Sequence, residues 1–321
     1  MNDTPKDGER IAKVMARAGL CSRREAESWI TAGRVRVNGK TLDSPACLVG
    51  PDDQVVVDNK PLPTAQATRL FLYHKPAGLV TSARDELGRP TVFDMLPPAM
   101  PRVVSVGRLD LTTEGLLLLT NDGGLSRHLE LPATGWKRRY RVRVYGTVNE
   151  KKLIGLKDGI TVDGVRYGAI EATLEEAQTK ANSWLSVTLT EGKNREIRRV
   201  MEALDLQVTR LIRVSYGPFR LGKLNEGAVE EVPLAALREL IPTYFNPGAA
   251  QTDTDIDGVD AAPRTARTHT GAAPAKNAAS RKGWAKAKPD TKVKPRKTRK
   301  PAGKAGGPGG KPTGGRSGKR P

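Results

Sequence analysis

The stretch SVGRLDLTTEGLLLLTNDGG, from Ser105 to Gly124, sets one carboxylate, Asp110, in a polar bend after a short apolar strand. Arg108 and Glu114 lie close by in the chain. A carboxylate kept beside a guanidinium stays ionised and oriented, and in that state it can attack an electrophilic carbon or take a proton. An aspartate after a strand more commonly bonds its own backbone and shapes a turn. Both readings stay open on this stretch alone. Tyr140, in RRYRVRV, offers a ring for stacking or a core aromatic on an alternating strand. Arg198 and Arg199, in NREIRRV, offer fixed cations or ordinary helix-surface charges. Cys21 and Cys47 lack CxxC spacing, and His74, His128 and His269 are far apart, so no metal, cofactor or disulfide framework is expected.

The elements that must position these residues are legible from periodicity. RLFLYHKPAGLV reads as an apolar strand running into a turn at Lys75-Pro76-Ala77-Gly78. RVVSVGRLD is a second strand, ending at the Asp110 bend. GLLLLTNDGG is a third, too uniformly apolar to be half exposed and therefore central in a sheet, with a turn at Thr120-Asn121-Asp122-Gly123. RRYRVRVYG, AIEATLEEAQ, SWLSVTLTEG and QVTRLIRVSYGPFRLGKL supply further strands. NREIRRVMEALDL is an amphipathic helix with Ile197, Val200, Met201 and Leu204 inward, and PLAALRELI is a last helix. Strands often follow one another directly, which predicts an α+β fold with a mixed, largely antiparallel sheet and flanking helices.

Ahead of this block, Ile11, Val14, Met15 and Ala18 form a helical stripe that Gly19 stops. Ser22 and Glu25 make an S-x-x-E capping box for a second helix. RVRVNGK alternates into an Asn38-Gly39 tight turn. Between Arg10 and Lys40 there are eight basic residues and two acidic ones, which fits either a solvated hairpin or a face built for phosphates. Three blocks result: 9–62, a small helix–strand domain; 68–245, dense in strands; and 246–321, rich in Ala, Gly, Pro, Lys and Arg and expected to be disordered.

Several of these motifs resemble a known family. Helix, S-R-R-E helix and G-R-V-x-V-N-G strand resemble the S4 RNA-binding domain. G-R-L-D with T-E-G-L-L-L-L-T-N-D-G resembles motif II of the pseudouridine synthases, HKPAG motif I, and EGKNREIRRV motif III; RRYRVRV is similar to the tyrosine-bearing strand between them. The four motifs stand in the family's order and, with the S4-like block, cover nearly all of residues 9–240. The chain is most similar to the RsuA/RluB family, and within it to RluB-type large-subunit enzymes.

The resemblance implies uridine isomerisation: the N-glycosidic bond breaks, the uracil turns, and a bond forms to C5. It implies Asp110 as the catalytic aspartate, attacking the sugar or acting as a base; Tyr140 as the residue that stacks on the target base, with or without moving a proton; and Arg198 as the aspartate's partner, one position of slip from Arg199. It implies an RNA-facing surface at Lys13, Arg17, Arg23, Arg24 and Arg34, with further RNA contacts at Lys75, Arg108, Lys193, Asn194 and Arg195. Related motifs read H-Q before the isoleucine where this chain has Arg195-Glu196, a departure that bears on substrate contacts. The implied partner is ribosomal RNA, 23S first and 16S second, free or in a pre-ribosomal particle. The implied form is a monomer without cofactor.

Composition agrees with such a partner. Net charge is +19 over 321 residues, but residues 264–321 hold 18 Lys and Arg against one acidic residue, Asp290. The remainder is nearly neutral, so RNA sites there must come from local clustering. The polar start MNDTPKDGER is unlike a signal peptide, and the cysteine usage suits a cytoplasmic protein. A non-catalytic RNA-binding factor would also explain the first domain and the tail, but not the Asp110 stretch; a DNA-binding protein would lack any recognisable DNA motif. The tail offers no fixed geometry for reading a base. Truncation after Phe245 is therefore expected to leave a folded enzyme that modifies the same site, with weaker RNA binding at low salt and a gap that narrows as salt rises. A salt series of binding measurements with site mapping checks this. Loss of the modified site would assign specificity to the tail.

Overall fold

Ser22 opens the second helix as its sequence requires: its hydroxyl accepts the Glu25 N–H at 3.1 Å, and the Glu25 carboxylate accepts the Ser22 N–H at 2.7 Å. The computed structural model describes residues 8–177 and 182–246; apart from Asn246, the expected disorder of the tail falls outside these residues. Helices α1 (Ile11–Arg17) and α2 (Arg23–Thr31) pack Ile11, Met15, Ala26 and Ile30 onto two small sheets. One pairs β1 (Glu9–Arg10) with β4 (Leu48–Val49). The other runs β3-β2-β5-β6, from β2 (Val35–Val37), β3 (Lys40–Thr41), β5 (Val55–Val57) and β6 (Lys60–Pro61). Asn38 and Gly39 both take positive φ, 51° and 81°, as a two-residue hairpin turn demands.

The main sheet has nine described strands: β7 (Leu70–Lys75), β8 (Val104–Val106), β9 (Thr113–Thr120), β10 (Arg138–Tyr145), β13 (Ile170–Ala177), β14 (Asn182–Leu189), β15 (Gln207–Tyr216), β16 (Phe219–Arg220) and β17 (Val229–Val232). A separate hairpin joins β11 (Ile160–Val162) to β12 (Val165–Tyr167). The order is β13-β14-β10-β15-β9-β7-β17, with β8 beside β9 and β16 beside β15. All pairs are antiparallel except β9 with β15, so the sheet is mixed and largely antiparallel.

Strand β9 is central, and its leucine run splits between two cores. Leu117 and Leu119 face one with Val142, Leu211 and Val200; Leu116 and Leu118 face the other with Leu125, Leu129 and Leu237. At about 1.5–3 kcal/mol for each buried leucine, this run anchors both layers. Helices α3 (Gly123–Glu130), α4 (Glu150–Gly155), α5 (Glu196–Ala203), α6 (Leu234–Leu240) and α7 (Pro242–Phe245) flank the sheet. The TNDG turn does more than turn. The Asp122 carboxylate accepts the Gly124 N–H at 2.8 Å and so caps α3, a helix whose two opening glycines hide it from propensity.

Gly115 explains how β9 and β15 come together. It has φ +99°, and a Cβ there would lie 2.3 Å from the Arg213 carbonyl oxygen. No other residue fits without separating the strands. Gly115→Ala should cost at least about 3 kcal/mol of stability, measurable by urea unfolding. A variant as stable as wild type would mean that the two strands part freely.

Candidate active site

Asp110 lies in the loop from β8 to β9, and every backbone carbonyl from Leu109 to Thr113 has a partner. Leu109 O accepts Thr81 Oγ1–H at 2.8 Å, and Leu111 O accepts the Gly78 N–H at 2.7 Å. Asp110 O accepts the Thr113 N–H at 3.0 Å. Thr112 O accepts Arg198 Nη2 at 3.3 Å, with Thr112 Oγ1 accepting the same nitrogen at 2.9 Å. Lys75 Nζ donates to Thr113 O at 2.9 Å and reaches Asp110 O and Leu111 O at 3.3 and 3.5 Å. The Asp110 carboxylate itself accepts no hydrogen bond among the described residues, so it does not shape the turn.

Lys75 therefore corrects an expectation. It is 0% exposed and offers RNA no surface. HKPAG ends a strand beneath the loop, so its lysine points into the protein and its glycine N–H meets the same loop. Burial pushes the Lys75 ammonium down to about 8, against the pull of Asp110 and Glu114.

Helix geometry separates Arg198 from Arg199. At about 100° per residue, Arg198 flanks the buried stripe of Ile197, Val200 and Met201 while Arg199 points away from it. Arg198 is half-buried and Arg199 exposed. The expected ion pair between Arg198 and the Asp110 carboxylate is not made. Arg198 Nη1 reaches Val208 O at 3.4 Å and Nη2 holds Thr112, so the guanidinium fixes the loop's backbone and attracts the carboxylate only through space. Burial lowers the Arg198 pKa, Arg195 adds to that, and Asp110 opposes both.

Asp110, Tyr140 and Arg198 line one cleft of about 1140 Å³, together with Arg108, Lys193, Asn194 and Arg195. Tyr140 is buried on β10, opposite Arg213 of β15, and its hydroxyl makes no hydrogen bond among the described residues. Lys193 is already committed to Glu191 at 2.7 Å, while Arg108, Asn194 and Arg195 are exposed at the rim. Sequence reasoning missed four residues that also line the cleft: Arg138, Glu196, Arg213 and Tyr216. Glu196 is buried, which raises its pKa; one carboxylate oxygen accepts the Lys193 N–H at 3.0 Å and the other has no partner. The signal for Arg213 was its parity with the apolar Leu211 two residues before it.

The basic residues of the first domain do not reach this cleft. Arg23 and Arg24 are exposed. Lys13 pairs with Glu9 at 2.5 Å, Arg17 lies 3.7 Å from Asp122, and Arg34 grips Asp58 at 2.9 and 2.5 Å while covering Trp29. Those three are partly neutralised within the protein, which the local sequence could not show because two of the partners are distant in the chain.

Comparison with known proteins joins the two parts. Residues 69–203 match the family model described as RNA pseudouridylate synthase, and residues 9–55 match the S4 domain. An uncharacterized RNA pseudouridine synthase of Rickettsia prowazekii is 46% identical over 236 residues, covering 74% of this chain and 99% of the relative. The chain belongs to the RsuA/RluB family of RNA pseudouridine synthases. A Shigella flexneri relative named ribosomal large subunit pseudouridine synthase B is 43% identical over 244 residues, covering 73% of this chain and 83% of that one. A crystal structure of a pseudouridylate synthase matches with TM-score 0.51 at 26% identity, over 72% of this chain and 99% of that one. As a member of this family, the protein is an isomerase that acts on RNA.

In this pseudouridine synthase the folded-state pKa of Lys75 lies below that of the unfolded chain, so between about pH 8 and 10.5 the unfolded state binds the extra proton. Wild-type stability should rise across that window relative to Lys75→Met, by at most about 1.4 kcal/mol per pH unit. The same variant removes a donor shared by three loop carbonyls, those of Asp110, Leu111 and Thr113, and should lose up to about 100-fold in single-turnover rate at unchanged RNA affinity. Parallel pH–stability curves, or an unchanged rate, would contradict the role given to Lys75.

Proposed function

We propose that this enzyme isomerises one uridine of 23S ribosomal RNA, acting as a monomer, with Asp110 as its catalytic carboxylate. The observation that carries the reading is the contrast within the Asp110 loop. Its backbone is bonded at every carbonyl, yet the carboxylate accepts no hydrogen bond among the described residues, in a cleft beside Tyr140 and Arg198. A group held this way is free to act on a ligand and costs little to reorganise. The relatives named for the large ribosomal subunit support 23S rRNA as the substrate. One chain supplies every group that the reading requires.

A uridine in structured RNA must leave its stack to enter such a cleft. Tyr140 then offers its ring to the uracil. Asp110 assists as the N1–C1′ bond breaks, the uracil turns, and C5 bonds to C1′. C5 gives up a proton and N1 gains one, so nothing is consumed. Arg198 holds the loop and keeps positive charge near the carboxylate. Arg108, Asn194 and Arg195 at the rim suit contacts to the RNA backbone, as do Arg23 and Arg24 on the S4 domain.

Single-turnover assays on 23S and 16S rRNA transcripts test the proposal. Wild-type enzyme should form pseudouridine at one position of 23S rRNA, and Asp110→Asn should form none while folding and binding RNA normally. Product from Asp110→Asn would remove the aspartate from the chemistry. Product on the 16S transcript alone would move the substrate to the small subunit.

A further inference from the structure

Arg213 is 3% exposed, lines the cleft, and is not fully used by the protein. Its Nε donates to Leu116 O at 2.7 Å, but Nη2 is buried with no hydrogen-bond partner among the described residues. Strand parity alone would not bring Arg213 and Tyr216 to one face, since they are an odd number of residues apart. The ladder shows why they meet. Arg139 pairs with Ser215 and Tyr140 with Arg213, so Val214 is an extra residue, a bulge in β15. Bulges of this kind re-aim side chains beside active sites. Arg138, Tyr140, Arg213 and Tyr216 consequently all line the cleft.

The two arginines flank one ring. The Arg213 guanidinium carbon is 5.2 Å from the Tyr216 centroid and that of Arg138 is 4.7 Å from it. Arg138 is anchored: Nη1 donates to Thr190 O, and Nη2 to Tyr216 Oη at 3.0 Å. Neither arginine has an ion pair among the described residues, and Glu196, which Arg138 attracts, bonds the Lys193 N–H instead. A guanidinium withdrawn from water without a paired counter-charge, as Arg213 is, is costly. The unspent Nη2 of Arg213, in the cleft wall at the position paired with Tyr140, belongs to a planar fork of the kind that fits a phosphate.

We propose that Arg213, backed by Arg138, binds the RNA phosphodiester adjoining the target uridine and so holds the extruded nucleotide against Tyr140. This rests on the reading of the Asp110 cleft as the uridine site. The test uses a 23S rRNA fragment around the uridine that the wild-type enzyme modifies, with an uncharged methylphosphonate placed at each neighbouring linkage in turn. Wild-type enzyme should lose about tenfold in kcat/KM at one linkage. Arg213→Gln should show a similar loss on unmodified RNA and no further loss at that linkage. Equal sensitivity of both proteins at every linkage, or a variant as active as wild type on unmodified RNA, would overturn the proposal. If Arg213→Gln does not fold by thermal unfolding, Arg213→Lys and Arg138→Gln carry the same comparison. No product from wild-type enzyme on any 23S fragment would count against the uridine reading itself; an active wild type that is indifferent to every linkage would count against the phosphate alone.

Discussion

A buried ammonium group under the Asp110 loop constrains the rest of the site. Lys75 has no exposed surface and spends its donors on the carbonyls of residues 76, 110, 111 and 113. Loops normally lie on the surface because their backbone groups need water. This one is lined with protein donors instead, so its shape is fixed before substrate arrives. The cost is a lysine held away from solvent, with its pKa drawn down to about 8. In return, the loop can present a carboxylate that accepts no hydrogen bond among the described residues, since its backbone needs no help from that side chain.

The sheet makes this arrangement possible. Strand β7 carries Lys75, and its Leu70–Lys75 span pairs with β9, which leaves the loop directly. Gly115 lets β15 approach β9 in the one parallel pair among the sheet's described strands, placing Arg213 and Leu211 next to the loop. Helix α5 then lays Arg198 across Thr112. Three motifs that are far apart in the chain thus converge on five backbone residues. The S4 domain contributes nothing to this convergence. It meets the catalytic part through weak exposed contacts such as Glu25 with Arg102 at 3.8 Å, and Arg17 with the buried Asp122.

The sequence made the strands, the capping box, the Asn38-Gly39 turn and Asp110 legible, because each depends on residues close together in the chain. What it hid depends on distant partners. Lys75 reads as a surface charge at a strand end until β9 is placed above it. Arg34 reads as free until Asp58 folds back onto it. Arg198 and Arg199 are equivalent by motif and differ only in their angle to the buried stripe of α5. The bulge at Val214 has no local sign, so Arg213 looked like one more basic residue in a basic strand. Helix α3 was missed for a different reason: its cap, Asp122, was legible only as a turn residue.

Modification of one uridine of 23S ribosomal RNA by the fixed Asp110 loop is decided by base-resolution pseudouridine mapping of all ribosomal RNA from cells lacking this protein, complemented with wild type or with Asp110→Asn. One 23S position should lose pseudouridine in the deletion, regain it with wild type, and stay unmodified with Asp110→Asn. A deletion that leaves every 23S position modified, or an Asp110→Asn variant that restores the lost one, would take the chemistry away from this loop.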